Sequence, residues 1–291
     1  MTESEPERGR ARAILSVQLE DEVRLERQRG GAAAPGDPAR VERRIERALA
    51  ALETLGARAT FFAEGRLVAE ISRPLWPAIA ASHELGCQGL SRTIVGRLGP
   101  EQFADDARRG REALEDAAAT AVVSYRAPEF SADGCDPWLG EGLVAAGYHT
   151  DASRRLTAMP EGATNGCYLL EGTGDAIVEV PLPMLPANLP IAGQRVMFLG
   201  SAAVRMLPLP TLRVAFELAE QQGFVPQIVL HLGDLDPEGP DAYSSDISTW
   251  RSRIDQLWRS TGRRGVMQKL AQLAWRWSFD TISSVASQRL V

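Results

Sequence analysis

The chain has 291 residues, 44% hydrophobic and 24% charged, with a formal net charge of −6. This composition belongs to a globular protein long enough for one large core, and the acidic balance, with arginines set among glutamates and aspartates, offers no basic face to nucleic acid or anionic lipid. Three well-separated cysteines, Cys87, Cys135 and Cys167, form no C-x-x-C pair, which excludes a disulfide framework and a zinc ribbon.

The opening MTESEPERGRARA is polar and charged and lacks an apolar leader, and no run of about 18 apolar residues follows. A cytoplasmic chain with no membrane contact is expected. Residues 1–12 read as a disordered tail, because they offer nothing to bury against the entropy of ordering. Ala13–Val17 is a short apolar run with the character of a buried parallel strand. Residues 18–37 start acidic and end in a Gly/Ala/Pro linker, so they read as a long loop. A helix opens at Pro38 behind Asp37, with Val41, Ile45, Ala48, Leu52 and Leu55 on one face and Gly56 to stop it. Ala59–Phe62 is a strand, Pro74–Ala81 a helix, and His83–Gly89 a strand running into a loop. Pro100 starts a helix that turns Phe103, Ala107 and Leu114 inward.

Val122–Tyr125 is a fourth strand, Trp138–Ala146 a helix, Tyr148–Asp151 a fifth strand and Ala176–Pro183 a sixth. Thr211–Gln222 is helical, Gln227–Leu232 a seventh strand, and Ile247–Arg259 and Gly265–Trp277 are two last helices. Strand and helix alternate, which points to an α/β fold with a parallel sheet of about seven strands curled into a barrel. In such a barrel the working residues lie past the C-terminal ends of the strands. That places Gln18, Glu20, Asp21, Gln88, Arg92, Arg126, Asp151 and His231 on one face.

Several of these stretches carry a pattern: SVQLED at Ser16–Asp21, GARATFF at Gly56–Phe62, SYRAPEF at Ser124–Phe130, AGYHTDAS at Ala146–Ser153 and VLHLGDLDP at Val229–Pro237. Together they resemble the polysaccharide deacetylases of the NodB homology group, carbohydrate esterase family 4, and most closely the branch associated with exosortase and exopolysaccharide genes. The resemblance spans residues 13–279 as one domain and leaves 280–291 as a C-terminal tail. It implies a distorted (β/α) barrel and a divalent metal, usually zinc, that acidifies a water for hydrolysis of N-acetyl groups on a polymer containing GlcNAc. An aspartate base, an arginine that orients it and a histidine general acid complete the implied chemistry.

Carried over residue by residue, that chemistry is broken. Gln18 stands where the base aspartate belongs, and an amide cannot take the proton. The metal carboxylate survives as Glu20 or Asp21. Where the family reads S-H-G-x-S-H, this chain reads Cys87-Gln88-Gly89-Leu90-Ser91-Arg92, so both metal histidines are gone. Gln88 is a weak neutral donor, and Arg92 brings a permanent positive charge beside any dication. His83 matches a histidine before the motif that is not a ligand. Arg126 matches the base-orienting arginine, Asp151 the aspartate of the fourth motif, and His231 the general acid. The usual H-P-W-E is His231-Leu232-Gly233-Asp234, without its aromatic wall.

No metal or other cofactor is therefore expected. Arg92 is expected to pair with Glu20 or Asp21, since a buried carboxylate without a cation is costly; the alternative is a solvent-facing loop arginine. Cys87 is either a replacement ligand or a buried inert thiol, and the second is the commoner fate. His149 reads as a surface or half-buried histidine, Glu129 and Phe130 as cleft lining, and Trp250, Trp258, Trp275 and Trp277 as packing of the last helices. The expected function is a degenerate deacetylase homologue that binds an amino-sugar saccharide or regulates exopolysaccharide synthesis. A hydrolase with a rebuilt site and a structural subunit that binds an active partner are the alternatives.

Overall fold

Strand β1, Ala11–Leu19, organises the computed structural model, which describes residues 9–20, 37–133, 135–170, 173–174, 176–186, 196–236 and 261–289. Asp21, most of the expected 18–37 loop, the expected helix Ile247–Arg259 with Trp250 and Trp258, and residues 1–8 lie outside the described residues. β1 begins two residues before the expected Ala13, within the stretch assigned to a tail, because Ala11 and Arg12 are paired with Trp277 and Ser278. Side chains alternate across it as the pleat requires. Ala13, Leu15, Val17 and Leu19 join the outer core beneath the helices, whereas Ile14 joins a smaller inner cluster.

The expected mostly parallel, curled α/β sheet is present, with nine strands among the described residues rather than seven. β1 pairs in parallel with β2 (Thr60–Ala63), β12 (Gln227–His231) and β13 (Trp277–Asp280). From β2 the sheet runs through β3 (Glu84–Cys87), β4 (Ser124–Tyr125), β5 (Thr150–Asp151) and β8 (Val178–Glu179) to β7 (Tyr168–Leu169), which is antiparallel. The expected sixth strand, Ala176–Pro183, is broken into β8 and β9 (Leu182–Pro183). β9 pairs with β6 (Arg155–Leu156), and β10 (Leu185–Pro186) pairs with β11 (Val196–Met197).

Helices cover the outer face. α1, Pro38–Leu55, starts where Asp37 accepts a hydrogen bond from the Arg40 amide at 3.1 Å and ends at Gly56 in the left-handed region (φ 61°). It buries Val41, Ile45, Ala48 and Leu52, the face read from the sequence. α2 (Leu75–Ser82), α3 (Pro100–Ala118), α4 (Asp136–Ala146), α5 (Ser201–Met206) and α6 (Leu209–Gln221) follow in order.

The end of the chain departs from the sequence reading. The expected helix Gly265–Trp277 is α7, Val266–Ala274, and Trp277 instead opens β13. The reason lies in the alternation of Trp277 and Phe279 with Ser278 and Asp280, a period of two that exposes every second residue. Trp277 is buried, while Trp275 is 85% exposed. Residues 280–291, expected as a tail, continue into α8, Ile282–Ala286. Its Ile282, Val285 and Ala286 pack with Ile14, Phe62, Val178 and Val180, closing the floor of the half-barrel. Glu84 latches it, accepting from the hydroxyls of Thr60 and Ser124 and from the Ser283 amide at 3.1 Å. No helix among the described residues is long and apolar enough to cross a membrane.

Candidate functional site

Parallel pairing fixes which residues meet at the upper rim. Gln18 lies opposite Phe62 on one side and His231 on the other. Glu20 is one residue beyond β1, Gln88 one beyond β3, Arg126 one beyond β4, and Asp151 and His231 end β5 and β12. The loop that carries Gln88 and Arg92 is held by α3. Asp106 accepts from the Leu90 amide at 3.0 Å and from the Ser91 hydroxyl at 3.3 Å. Gly89 has φ of 80°, and a Cβ there would come within 2.2 Å of the Asp106 carboxylate. A Cβ on Gly110 of α3 would stand 2.5 Å from the Gly89 carbonyl carbon, so helix and loop touch backbone to backbone.

This contact aims Arg92 across the rim. Its Nη2 is 3.0 Å from Oε2 of Glu20, and Oε1 of the same carboxylate is 2.7 Å from Nδ1 of His231. Nη1 lies 3.6 Å from Glu129. The guanidinium and the Glu20 carboxylate are nearly buried, while Glu129 and His231 remain 43% and 42% exposed at the side chain. Arg92 and Glu129 both have left-handed backbones, φ 53° and 56°. Such backbones are uncommon for residues with a Cβ and persist only where the surroundings hold them. The buried Oε1 of Gln18 has no hydrogen-bond donor among the described residues.

Arg126 does not reach Gln18. It turns down into the half-barrel and donates to the Ser16 hydroxyl at 2.7 Å, the Gln227 side-chain oxygen at 2.9 Å and the Ala152 carbonyl at 3.1 Å, with its guanidinium 4.2 Å from the Phe62 ring centroid. Burial brings even this guanidinium down to about 9. The expected role of orienting a residue at position 18 is therefore absent from the geometry.

Asp151 also lies below the rim, fully buried, accepting from the Ser153 hydroxyl. Its register partner on β8 is Glu179, equally buried. Burial raises both, and the Asp151 charge raises Glu179 further, so Glu179 keeps its proton. Sequence reasoning missed Glu179, although a lone glutamate inside AIVEVPLP was a signal that one charge of that strand is buried and partnered.

Cys87 is the buried inert thiol: its Sγ faces the Gly89 carbonyl and burial pushes it up to about 12. His83 packs at 5.3 Å on the Phe61 ring, and burial takes it down to about 4. His149 is exposed. Phe130 packs with Leu182 and Val229. Asp234, in the place of the H-P-W-E glutamate, is buried and pairs with Arg205 at 2.8 Å.

Residues 36–134 match the polysaccharide deacetylase family model, and residues 150–287 match a domain of unknown function, DUF3473. Over residues 36–134 the chain is thus similar to a polysaccharide deacetylase domain. Its fold is that of a Mycobacterium smegmatis protein named as a polysaccharide deacetylase, with 18% identity over 98% of this chain and 92% of that one, TM-score 0.61. It is also similar to the peptidoglycan N-acetylglucosamine deacetylase Bc1960, with 14% identity over 97% of this chain and 90% of that one, TM-score 0.50. No curated protein matches.

A divalent metal does not fit the described residues of this site. Three His, Cys, Asp or Glu side chains that could share an ion do not come together among them. The Glu20 carboxylate that would serve as a ligand is in contact with a guanidinium, whose charge opposes a dication at the same oxygens.

Proposed function

We propose that this chain is a polysaccharide deacetylase homologue whose cleft binds saccharide instead of hydrolysing it, as a carbohydrate-binding or regulatory component of exopolysaccharide metabolism in the cytoplasm. One observation carries the reading: Arg92, in the place of the second metal histidine, puts its guanidinium on Glu20. Three further features agree with it. Gln18 cannot act as a base. Arg126 is bonded to Ser16 and Gln227 rather than to position 18. Cys87 is too buried to replace a lost ligand.

The link to exopolysaccharide synthesis proteins as partners rests on the motif resemblance, because fold alone does not fix function. The test is metal content by mass spectrometry after growth with zinc, together with acetate release from chitin oligosaccharides. The unmodified chain is expected to hold far less than one metal per molecule and to release no acetate. The double variant Gln88→His with Arg92→His is expected to gain zinc. Stoichiometric metal and acetate release by the unmodified chain overturn the reading.

A further inference from the structure

The inner face of the half-barrel changes character at the rim. On β12 that face carries Gln227, Val229 and His231, and on β1 it carries Ser16 and Gln18, with Val229 opposite Ser16 and His231 opposite Gln18. Val229 forms a small apolar cluster with Phe130 and Leu182, apart from the main core, and Phe198 packs on it while staying partly exposed. The rings of Phe130 and Phe198 stand 6.0 Å apart at 56°. A Cβ on Gly200 would come within 2.5 Å of the Phe198 ring, so glycine there lets the ring rest on the backbone. Gly200 is bridged to Val229, and the Ser201 hydroxyl accepts from the His231 amide at 2.9 Å. This aromatic is thereby fixed beside the Gln18–His231 pair.

Gln18 is 6% exposed, and its Oε1 is buried with no donor among the described residues. An acceptor kept dry in this way is costly unless a bound molecule supplies the donor. The backbone at the same place is strained. Of the five non-glycine residues with left-handed φ among the described residues, Arg92, Glu129 and Phe130 lie at this rim, and strain of this kind gathers at ligand clamps.

We propose that a β-linked pyranose lies across the rim with its C–H face on the Phe198 ring and one hydroxyl donating to Gln18 Oε1. The two features select a molecule that is apolar on a face and rich in O–H donors at its edge. A β-linked gluco-configured ring is built that way, with axial C–H bonds over its faces and equatorial hydroxyls around its edge. Its C–H bonds meet the negative face of the aromatic ring. An apolar ligand would cover Phe198 and leave the Gln18 oxygen dry, whereas a small ion would leave the aromatic wall uncovered. The inference rests on the reading of the cleft as a saccharide site and adds which residues hold the sugar.

The test is isothermal titration of the full chain with chitin hexasaccharide and with cellohexaose, repeated for Phe198→Leu, Phe198→Tyr and Gln18→Met. Phe198→Leu keeps an apolar side chain but loses the ring, and it is expected to weaken binding about tenfold. Phe198→Tyr keeps the ring and is expected to bind within about threefold of the unmodified chain. Gln18→Met keeps the length without the oxygen and is expected to weaken binding about tenfold. Circular dichroism spectra are expected to be unchanged in all three. Unchanged affinity in Phe198→Leu or in Gln18→Met overturns the inference while leaving the cleft a saccharide site. Failure of both hexasaccharides to bind the unmodified chain overturns it together with the binding reading.

Discussion

Arg92 and Glu20 lie 3.0 Å apart with side chains only 12% and 7% exposed, an ion pair joining the loop after β3 to the end of β1. Removing one member of a nearly buried pair leaves the other charge poorly compensated. Arg92→Met is therefore expected to lower unfolding stability by about 3 kcal/mol, read from urea denaturation. Adding Glu20→Gln to that variant is expected to cost less than the two single changes summed, because the charge left stranded is gone. A loss below about 0.5 kcal/mol for Arg92→Met, the level of a surface pair, contradicts the buried pairing.

The Asp151–Glu179 pair predicts a pH dependence with a definite sign. Both folded-state carboxyls titrate above their ordinary range, Glu179 by far the more. The folded chain thus holds protons that the unfolded chain releases near pH 4. The stability these protons bring is fully present below that pH and falls as pH rises toward the folded-state value. In Glu179→Gln one ionisable group is lost, so its denaturation midpoint is expected to decline less than the native one between pH 5 and pH 8. Parallel declines in both proteins refute the raised titration of Glu179.

Gly110→Ala tests the contact between α3 and the Gln88–Arg92 loop. The added methyl would meet backbone atoms of Gly89 and Leu90 at 2.5–2.7 Å, and backbone cannot step aside as a flexible side chain can. Overpacking of this kind costs about 1–3 kcal/mol. Amide exchange at Leu90, whose N–H is bonded to Asp106, is expected to speed up more than exchange in β12. Unchanged exchange at Leu90 argues that the loop is held by something other than the helix.

All three cysteines are buried, and Cys87 is the one whose thiol is pushed up to about 12. At pH 8 the native chain is expected to leave Ellman's reagent unreacted and the guanidinium-unfolded chain to yield three thiols per molecule. Fast labelling of Cys87 in the native chain contradicts its burial.

The sequence was most legible where the pattern is local. The helical face of Val41, Ile45, Ala48 and Leu52 and its Asp37 and Gly56 ends are contained in one short stretch. The strand ends that form the rim also follow from local apolar runs, and the need of a buried carboxylate for a cation pointed to Arg92. What was not legible depends on side-chain direction and distant pairing. Arg126 matches a motif position, yet its guanidinium turns down to Ser16 and Gln227, 110 and 101 residues away in sequence. Glu179 meets Asp151 only because β8 is laid beside β5. Trp277 was read at helical spacing because its two-residue alternation spans only four residues, too few to outweigh the helix before it.

β1 draws its neighbours from both ends of the sequence: β2 is near, but Gln18 pairs with His231 and Ala11 with Trp277. During synthesis this strand waits for more than two hundred residues before its remaining hydrogen-bonding partners exist. Contacts of such long sequence separation slow folding, and an apolar strand with open edges is a site for mispairing with other chains. Strand β1 is thus among the last of the described strands to be completed, and the nascent chain is most exposed to aggregation until Trp277–Asp280 arrives to pair with it.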